Sequence, residues 1–302
     1  MIDVSIIVPC YNVSSYISEA IDSLKAQNFQ NKEVIFVDDG STDQTVQIIQ
    51  RKIHNLDYAQ LIRQQNEGPS VARNTGLKIA RGKYIYFFDS DDVLIDHMLD
   101  DCFNFAEANN LDVVHFNCKL YYEDMSVKAS VGDQTEYFKN TLFKANKIYD
   151  SKSFCELFSR QARIPPWFFF IKREVLTEND IQFMPNILNE DELFTPELLI
   201  NCQLIGFLEH DYLIHRMRAN SIMTVSNRNA KQRQSRLLII QKLNLLLKEN
   251  HSSRWKSDFL CERLWGLISQ VSSSTFDKIL RILNQDNLLF IYMLKKAFKL
   301  IK

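Results

Sequence analysis

Glycine is scarce in this chain, seven in 302 residues, and the first strand-to-helix junction carries neither G-x-G-x-x-G nor G-x-x-x-x-G-K-[ST]. Those loops hold a pyrophosphate or a γ-phosphate on a nest of backbone N–H groups, so dinucleotide-dependent redox chemistry and P-loop hydrolysis fall away. A sugar nucleotidyltransferase would also want a glycine-rich, basic loop there, where the chain has Pro9-Cys10-Tyr11-Asn12. The six cysteines include no C-x-x-C pair, which indicates neither a zinc ribbon nor a disulfide framework and suits reduced thiols in the cytosol. No uncharged apolar stretch reaches the roughly 18 to 20 residues of a membrane span. The N-terminus enters the strand-like run VSIIVP without a basic segment and long apolar core before it, so no leader is expected and the protein should stay on the cytoplasmic side. A formal net charge of -1 gives no reason to expect nucleic acid. With 46% hydrophobic and 24% charged residues, the composition is that of a globular protein with a sizeable core.

The stretch Tyr84 to Asp92, YIYFFDSDD, is an apolar run that ends in Asp89, Asp91 and Asp92. A buried strand delivering clustered acids to its carboxyl end can seat a divalent cation and the phosphates that accompany it; an acidic turn or helix cap is the simpler alternative. The neighbouring pattern favours the first. Val4 to Val8 is β-rich, and Ile17, Ala20, Ile21 and Leu24 then recur at helical spacing. Glu33 to Val37 is a second apolar run closing on Asp38-Asp39-Gly40, with Ser41-Thr42-Asp43 leading into a helix through about Ile53. Tyr58 to Arg63 reads as a third strand, Gly68 to Ala80 as a loop and helix, and Gly82 to Asp89 as a fourth strand. Such alternation predicts an α/β fold with a Rossmann-like, mostly parallel sheet flanked by helices. Polar residues gather after three of its strands, where open sheets of this kind bind ligands. Val113 to Tyr122 reads as another strand, Ser151 to Gln161 as a helix, and Phe168 to Phe170 as core, with Trp167 left open as an acceptor platform.

The series VSIIVPCYN (Val4 to Asn12), VDDGSTD (Val37 to Asp43), NEGPSVARNTG (Asn66 to Gly76), FFDSDD (Phe87 to Asp92) and NEDELF (Asn189 to Phe194) resembles the family 2 glycosyltransferases, inverting enzymes of the GT-A fold. The resemblance covers about residues 1 to 225 and fades beyond. It implies that Pro9, Tyr11 and Asp39 hold the nucleobase, with Asn12 and Asp38 close by, and that Arg73 lies near the nucleotide. Asp89-Ser90-Asp91 would be the D-x-D motif, with Asp89 on the ribose or cation and Asp91 a direct ligand of Mn²⁺ or Mg²⁺; Asp92 would only cap the following helix. Of the pair Glu190 and Asp191, Asp191 would be the general base. His215 or Arg216 would reach the metal or diphosphate, with Arg218 as a competitor. The implied reaction moves a sugar from a nucleotide donor, UDP-linked, to a glycan acceptor, lipid-linked, in cell-surface polysaccharide synthesis such as O-antigen or capsule. The alternatives are a non-catalytic glycan-binding or assembly module descended from a transferase, and a sugar nucleotidyltransferase.

Beyond about Asn227 glycine and proline nearly vanish, and apolar residues recur at helical spacing through Arg236 to Leu247, Phe259 to Ile268 and Phe276 to Leu300. This divides the chain into a catalytic domain, 1–226, and a helical C-terminal region, 227–302. From Asn287 to Lys302 there is no acidic residue, while Ile291, Leu294, Phe298 and Ile301 share a helical face beside Lys295, Lys296, Lys299 and Lys302. Such a helix suits the anionic cytoplasmic face of the inner membrane, and equally an ordinary packing or oligomer contact.

Overall fold

A computed structural model describes residues 2–131, 133–134, 140–160, 164–218 and 230–269. The N-terminal half alternates strand and helix as its periodicity requires: β1 (Val4–Cys10), α1 (Ile17–Ala26), β2 (Lys32–Asp38), α2 (Thr45–Ile53), β3 (Ala59–Arg63), α3 (Pro69–Ile79) and β4 (Tyr84–Phe87). These strands lie in the order β3-β2-β1-β4, all parallel. The chain winds from β1 outward to β3 and then returns to the other side of β1 to lay down β4. The sheet's direction of growth therefore reverses between β1 and β4, and the crevice outside the carboxyl ends of these two strands is the topological switch point where ligands bind in such sheets. The strand-end residues Tyr11, Asn12 and Asp89 to Asp92 gather there.

The second half extends the same sheet with a different grammar. It adds β5 (Val93–Leu94), α4 (Met98–Asn109), β6 (Val113–Tyr122), α5 (Met125–Val131), β7 (Lys147–Asp150), α6 (Ser151–Phe158), β8 (Phe169–Lys172), α7 (Arg173–Glu178), α8 (Asp191–Asn201) and β9 (Leu204–Met217). Strand β8 runs antiparallel between β4 and β6, β9 pairs parallel to β6, and β5 and β7 pair antiparallel with β9. The run IPPWFFF is a short 3-10 turn over Pro166–Phe168 that leads into β8, and Phe168, Phe169 and Phe170 are fully buried core. Trp167 is also buried, 2% exposed, so it is not an open platform. Strand β9 is long but broken in register between Phe116 and Cys118 of its partner, where Glu209-His210-Asp211 interrupts the apolar pattern.

Helices α9 (Ala230–Glu249) and α10 (Arg254–Ile268) pack on each other through Leu243, Leu247, Leu260 and Leu264, and dock against α8 and α6. The expected helix over 276–300 and the basic tail 287–302 lie outside the described residues. Among the described residues no helix is long and apolar enough to cross a membrane.

One close approach sets the position of α3. A Cβ on Gly76 would lie 2.4 Å from Cγ2 of Ile7 in β1, so the helix backbone rests almost directly on the strand. The helix starts at Gly68, whose φ of +92° is open to glycine and strained for other residues, with Pro69 following in the first turn. On the same buried face as Gly76, three residues earlier, stands Arg73. Gly76→Val is expected to lower stability by about 1–3 kcal/mol through overpacking, seen as a lower urea midpoint with an unchanged m-value.

Candidate active site

The site is built from charges that arrive on different elements. Arg73, 6% exposed, donates from one guanidinium nitrogen to Asp89 at 2.9 Å and from another to Glu190 at 2.5 Å, while its Cζ lies 5.2 Å from the centroid of the Phe183 ring. Burial alone would lower the pKa of this arginine; the attraction of Asp89 and Glu190 outweighs it and keeps the group charged. A single side chain thus ties the end of β4 to the start of α8, a hundred residues later. The acids of the two motifs, read separately from the sequence, share one cation.

The remaining acids at the end of β4 have partners of their own. Asp91 accepts from Nε of Arg218 at 2.6 Å, and its carbonyl accepts from Nε of Arg216 at 3.0 Å. Ser90 is buried between them. Asp92 does not cap a helix: the next element is β5, and α4 begins only at Met98. Instead Asp92, 1% exposed, has both carboxylate oxygens 3.0 Å from Nδ1 of His215 and accepts from the backbone N–H of Arg216 at 2.9 Å. The helix-cap expectation fails because β9 brings its polar end across the strand terminus. His215 also stacks on Trp167, with ring centroids 4.8 Å apart, so its Nδ1 and one ring face are held by Asp92 and Trp167. Arg216 reaches the other way, donating to Glu19 at 2.6 Å and lying over the rings of Tyr16 and Tyr121.

On the β1 and β2 side, Asp39 is almost fully buried and accepts from Gln64 Nε2 at 2.8 Å and from the backbone N–H groups of Glu67 and Gly68 at 2.9 and 2.8 Å. It thereby shapes the loop that starts α3. Asp38 accepts from the backbone N–H of Ser41 and from Nε of Arg63. Asn12 sits at φ +51°, and its side-chain oxygen accepts from the backbone N–H of Thr42 at 2.8 Å, joining the two strand-end loops. Pro9 lies in β1 and Tyr11 stands 48% exposed at the mouth of the crevice.

Asp191 occupies the first turn of α8, one oxygen accepting from the backbone N–H of Glu192 at 3.1 Å. Burial, then the flanking charges of Glu190 and Glu192, push its pKa up to about 8 against the opposing pull of Arg73. Glu192 in turn accepts from Arg263 of α10. That partner had no signal in the sequence, since it lies some seventy residues away in a helix with ordinary amphipathic spacing. The partnership of Asp92 with His215, and that of His215 with Trp167, were equally out of reach of local pattern.

A switch-point sheet with carboxylates and arginines at its strand ends is the place where α/β proteins of this kind bind ligands. Residues 5–176, more than half of the chain, match the family described as glycosyl transferase family 2. The chain is 26% identical over 248 residues to the uncharacterized glycosyltransferase YibD of Escherichia coli, covering 80% of this chain and 70% of that protein. It is 31% identical over 268 residues to the poly(ribitol-phosphate) beta-N-acetylglucosaminyltransferase TarS of Staphylococcus aureus, covering 86% of this chain but only 44% of TarS. Among solved structures, TarS 1–349 in complex with UDP-GlcNAc superposes with a TM-score of 0.73 at 26% identity, over 92% of this chain and 80% of that one. The protein belongs to the family 2 glycosyltransferases and has their GT-A architecture.

The pair of Asp92 and His215 sets a pH dependence of stability. Asp92 raises the pKa of His215 to about 9, above its ordinary value of about 6.5. Burial raises the pKa of Asp92 itself to about 6, so the contribution of the charged pair is greatest near pH 6.5 to 7 and is lost as pH rises through about 9. Wild-type protein is expected to lose about 2–3 kcal/mol between pH 6.5 and 9.5 from this group. In His215→Gln that part of the loss should be missing, as read from urea unfolding at several pH values; parallel curves for the two proteins would refute the assignment.

Proposed function

We propose that the protein is an inverting transferase that moves a sugar from a UDP-linked donor to a hydroxyl of a lipid-linked glycan acceptor during surface-polysaccharide synthesis. The observation that carries this reading is the shared arginine: Arg73 joins Asp89, of the D-x-D motif, to Glu190, the neighbour of the candidate base. Leaving-group chemistry and acceptor activation need opposite faces of one anomeric carbon, and the side chains suited to each are here held on one cation. The donor class is supported by TarS, whose structure was solved with UDP-GlcNAc; a surface polymer as acceptor is supported by the name of TarS, a poly(ribitol-phosphate) N-acetylglucosaminyltransferase, while the lipid linkage rests on the family resemblance alone.

In this reading Tyr11 and Asp39 flank the nucleobase. Oδ1 of Asp39 already accepts two hydrogen bonds and Oδ2 one, so Oδ2 retains capacity for an N–H of the base. Asp91 and Asp89 would hold Mn²⁺ or Mg²⁺. The described residues contain no group of three His, Cys, Asp or Glu side chains that could hold a metal ion by themselves. The oxygen-only pair at the end of β4 fits a cation that takes one or two carboxylates and completes its shell with substrate phosphates and water. When bound, such an ion neutralises charge on the departing diphosphate. Arg218, now on Asp91, would share that charge, while Arg216 is held by Glu19 and the carbonyl of Asp91. Asp191 would take the proton of the acceptor hydroxyl as the new bond forms at C1 from the face opposite the leaving group. A base with a pKa near 8 is well matched to this task near neutral pH, because it is basic enough to accept a proton yet partly ionised.

A panel of UDP-sugars with Mn²⁺ tests the reading, with thermal stabilisation and UDP release as the measurements. At least one UDP-sugar should raise Tm and be turned over, and EDTA should stop turnover. Asp191→Asn should lower kcat by roughly 10²- to 10⁴-fold while stabilisation by UDP persists. A variant that turned over at the wild-type rate would remove Asp191 from its role, and no response to any UDP-sugar would remove the donor class.

A further inference from the structure

Glu190, Asp191 and Glu192 are consecutive carboxylates at the start of one helix, an arrangement that repels itself unless cations answer it. Two arginines do so from opposite sides. Arg73 reaches Glu190 from α3, in the N-terminal half, and Arg263 reaches Glu192 from α10, in the C-terminal helical pair. Both guanidinium groups are largely buried, with side chains 7% and 15% exposed. Among the described residues Asp191 has no ion-pair partner, and it lies between two acids that do. The same helical pair makes a second contact with this loop, since Ser235 of α9 accepts the backbone N–H of Leu188 at 2.9 Å.

We propose that Arg263 is a positioning residue for the candidate base: by pairing with Glu192 it holds the first turn of α8 and cancels the charge on the downstream side of Asp191. The C-terminal helices are then part of the catalytic apparatus and not only a support. This rests on the reading of Asp191 as the base. Stability alone is a poor account of the pair. Arg263 stands on a helix whose neighbouring inward positions are Leu260, Leu264 and Leu267, and a buried ion pair is commonly no more stabilising than apolar side chains of similar size. Its Nε is buried and has no hydrogen-bond partner among the described residues, a further cost that an apolar residue would avoid.

Among the described residues the charged groups around Asp191 on each packed element are few. Glu190 and Glu192 flank it on its own segment, Arg73 with Asp89 behind it faces it from α3, Arg263 faces Glu192 from α10, and Arg236 of α9 lines a narrow cleft with Glu192 and Asn189. Removing Arg263 takes away the cation bonded to Glu192 beside Asp191, and a nearby negative charge less fully compensated makes a carboxyl harder to ionise. The base then ionises at higher pH and is held less firmly.

The test is a cycle of Arg263→Met, Glu192→Gln and the double variant in the full chain, with Arg263→Lys beside it. The titration midpoint of Asp191, followed by carboxyl ¹³C NMR and assigned by its loss in Asp191→Asn, should rise by about one pH unit in Arg263→Met. It should return to within about half a unit of wild type in the double variant, with Arg263→Lys in between. UDP release from UDP-GlcNAc should fall about tenfold in kcat for Arg263→Met with little change in KM, the mark of a group acting at the chemical step. If Arg263→Met does not fold, the Glu192→Gln background decides: there Arg263→Met should change kcat less than about twofold, and a tenfold loss would overturn the proposal. An unmoved midpoint in Arg263→Met, or one that Glu192→Gln fails to restore, would also overturn it. The NMR measurement needs no donor, so failure of UDP-GlcNAc to turn over would count against the functional reading, while the titration by itself still decides the role of Arg263.

Discussion

The buried guanidinium of Arg73 is the constraint on which the site depends. An isolated charge at this depth would be expensive to desolvate; here Asp89 and Glu190 answer it from either side and the Phe183 ring lies close to its Cζ. Because those carboxylates lie just after β4 and on the segment entering α8, the arginine couples the parallel half of the sheet to the helices that cover its second half. That coupling is possible only if α3 stands close to the sheet. The contact of Gly76 with Ile7 and the entry turn at Gly68, whose N–H is fixed by Asp39, therefore serve the site as much as the fold.

Around this centre the acids are answered one by one. Asp91 has Arg218, Asp92 has His215, Asp38 has Arg63 and Glu192 has Arg263, while Asp39 is held by backbone and amide donors. These pairs differ in what they resist. Those that are buried on both sides, such as Asp92 with His215, fix the frame, because breaking them strands a charge out of water. Asp91 and Arg218 are each about a fifth exposed, so this pair can exchange partners at modest cost.

The N-terminal half of the fold was legible because each of its elements is made of contiguous residues with one clear period: runs of apolar residues for the strands, of which β1, β2 and β4 are buried on both faces, and helices with one apolar stripe. Strand β9 was not. Its fourteen residues include Glu209-His210-Asp211, which break the alternation where the register shifts against β6, and a broken period hides a strand. The two-residue β5 is too short to carry any period. At the site the acids could be located, since they end apolar runs, but their partners could not. Asp92 looked idle because the residue that gives it a role, His215, arrives on the unrecognised strand. Arg263 was invisible for the same reason, as an ordinary position on a helix whose docking face no local pattern reveals.

The position of Asp191 follows from the charge pattern taken as a whole. As the proposed base for a sugar hydroxyl, Asp191 must resist two opposite failures. A carboxylate with an arginine of its own would be ionised but held in a pair and weakly basic; one left among uncompensated acids would stay protonated at neutral pH. Pairing the neighbours instead of the base avoids both. Burial and the adjoining charges lift Asp191 to about 8, and Arg73, bonded to Glu190, opposes the rise without pairing with Asp191 itself; Arg263 pairs with the glutamate on the other side. The run Glu190-Asp191-Glu192 is thus more than a helix N-terminus that tolerates negative charge: its outer members bring two arginines close to a carboxylate that neither arginine pairs with.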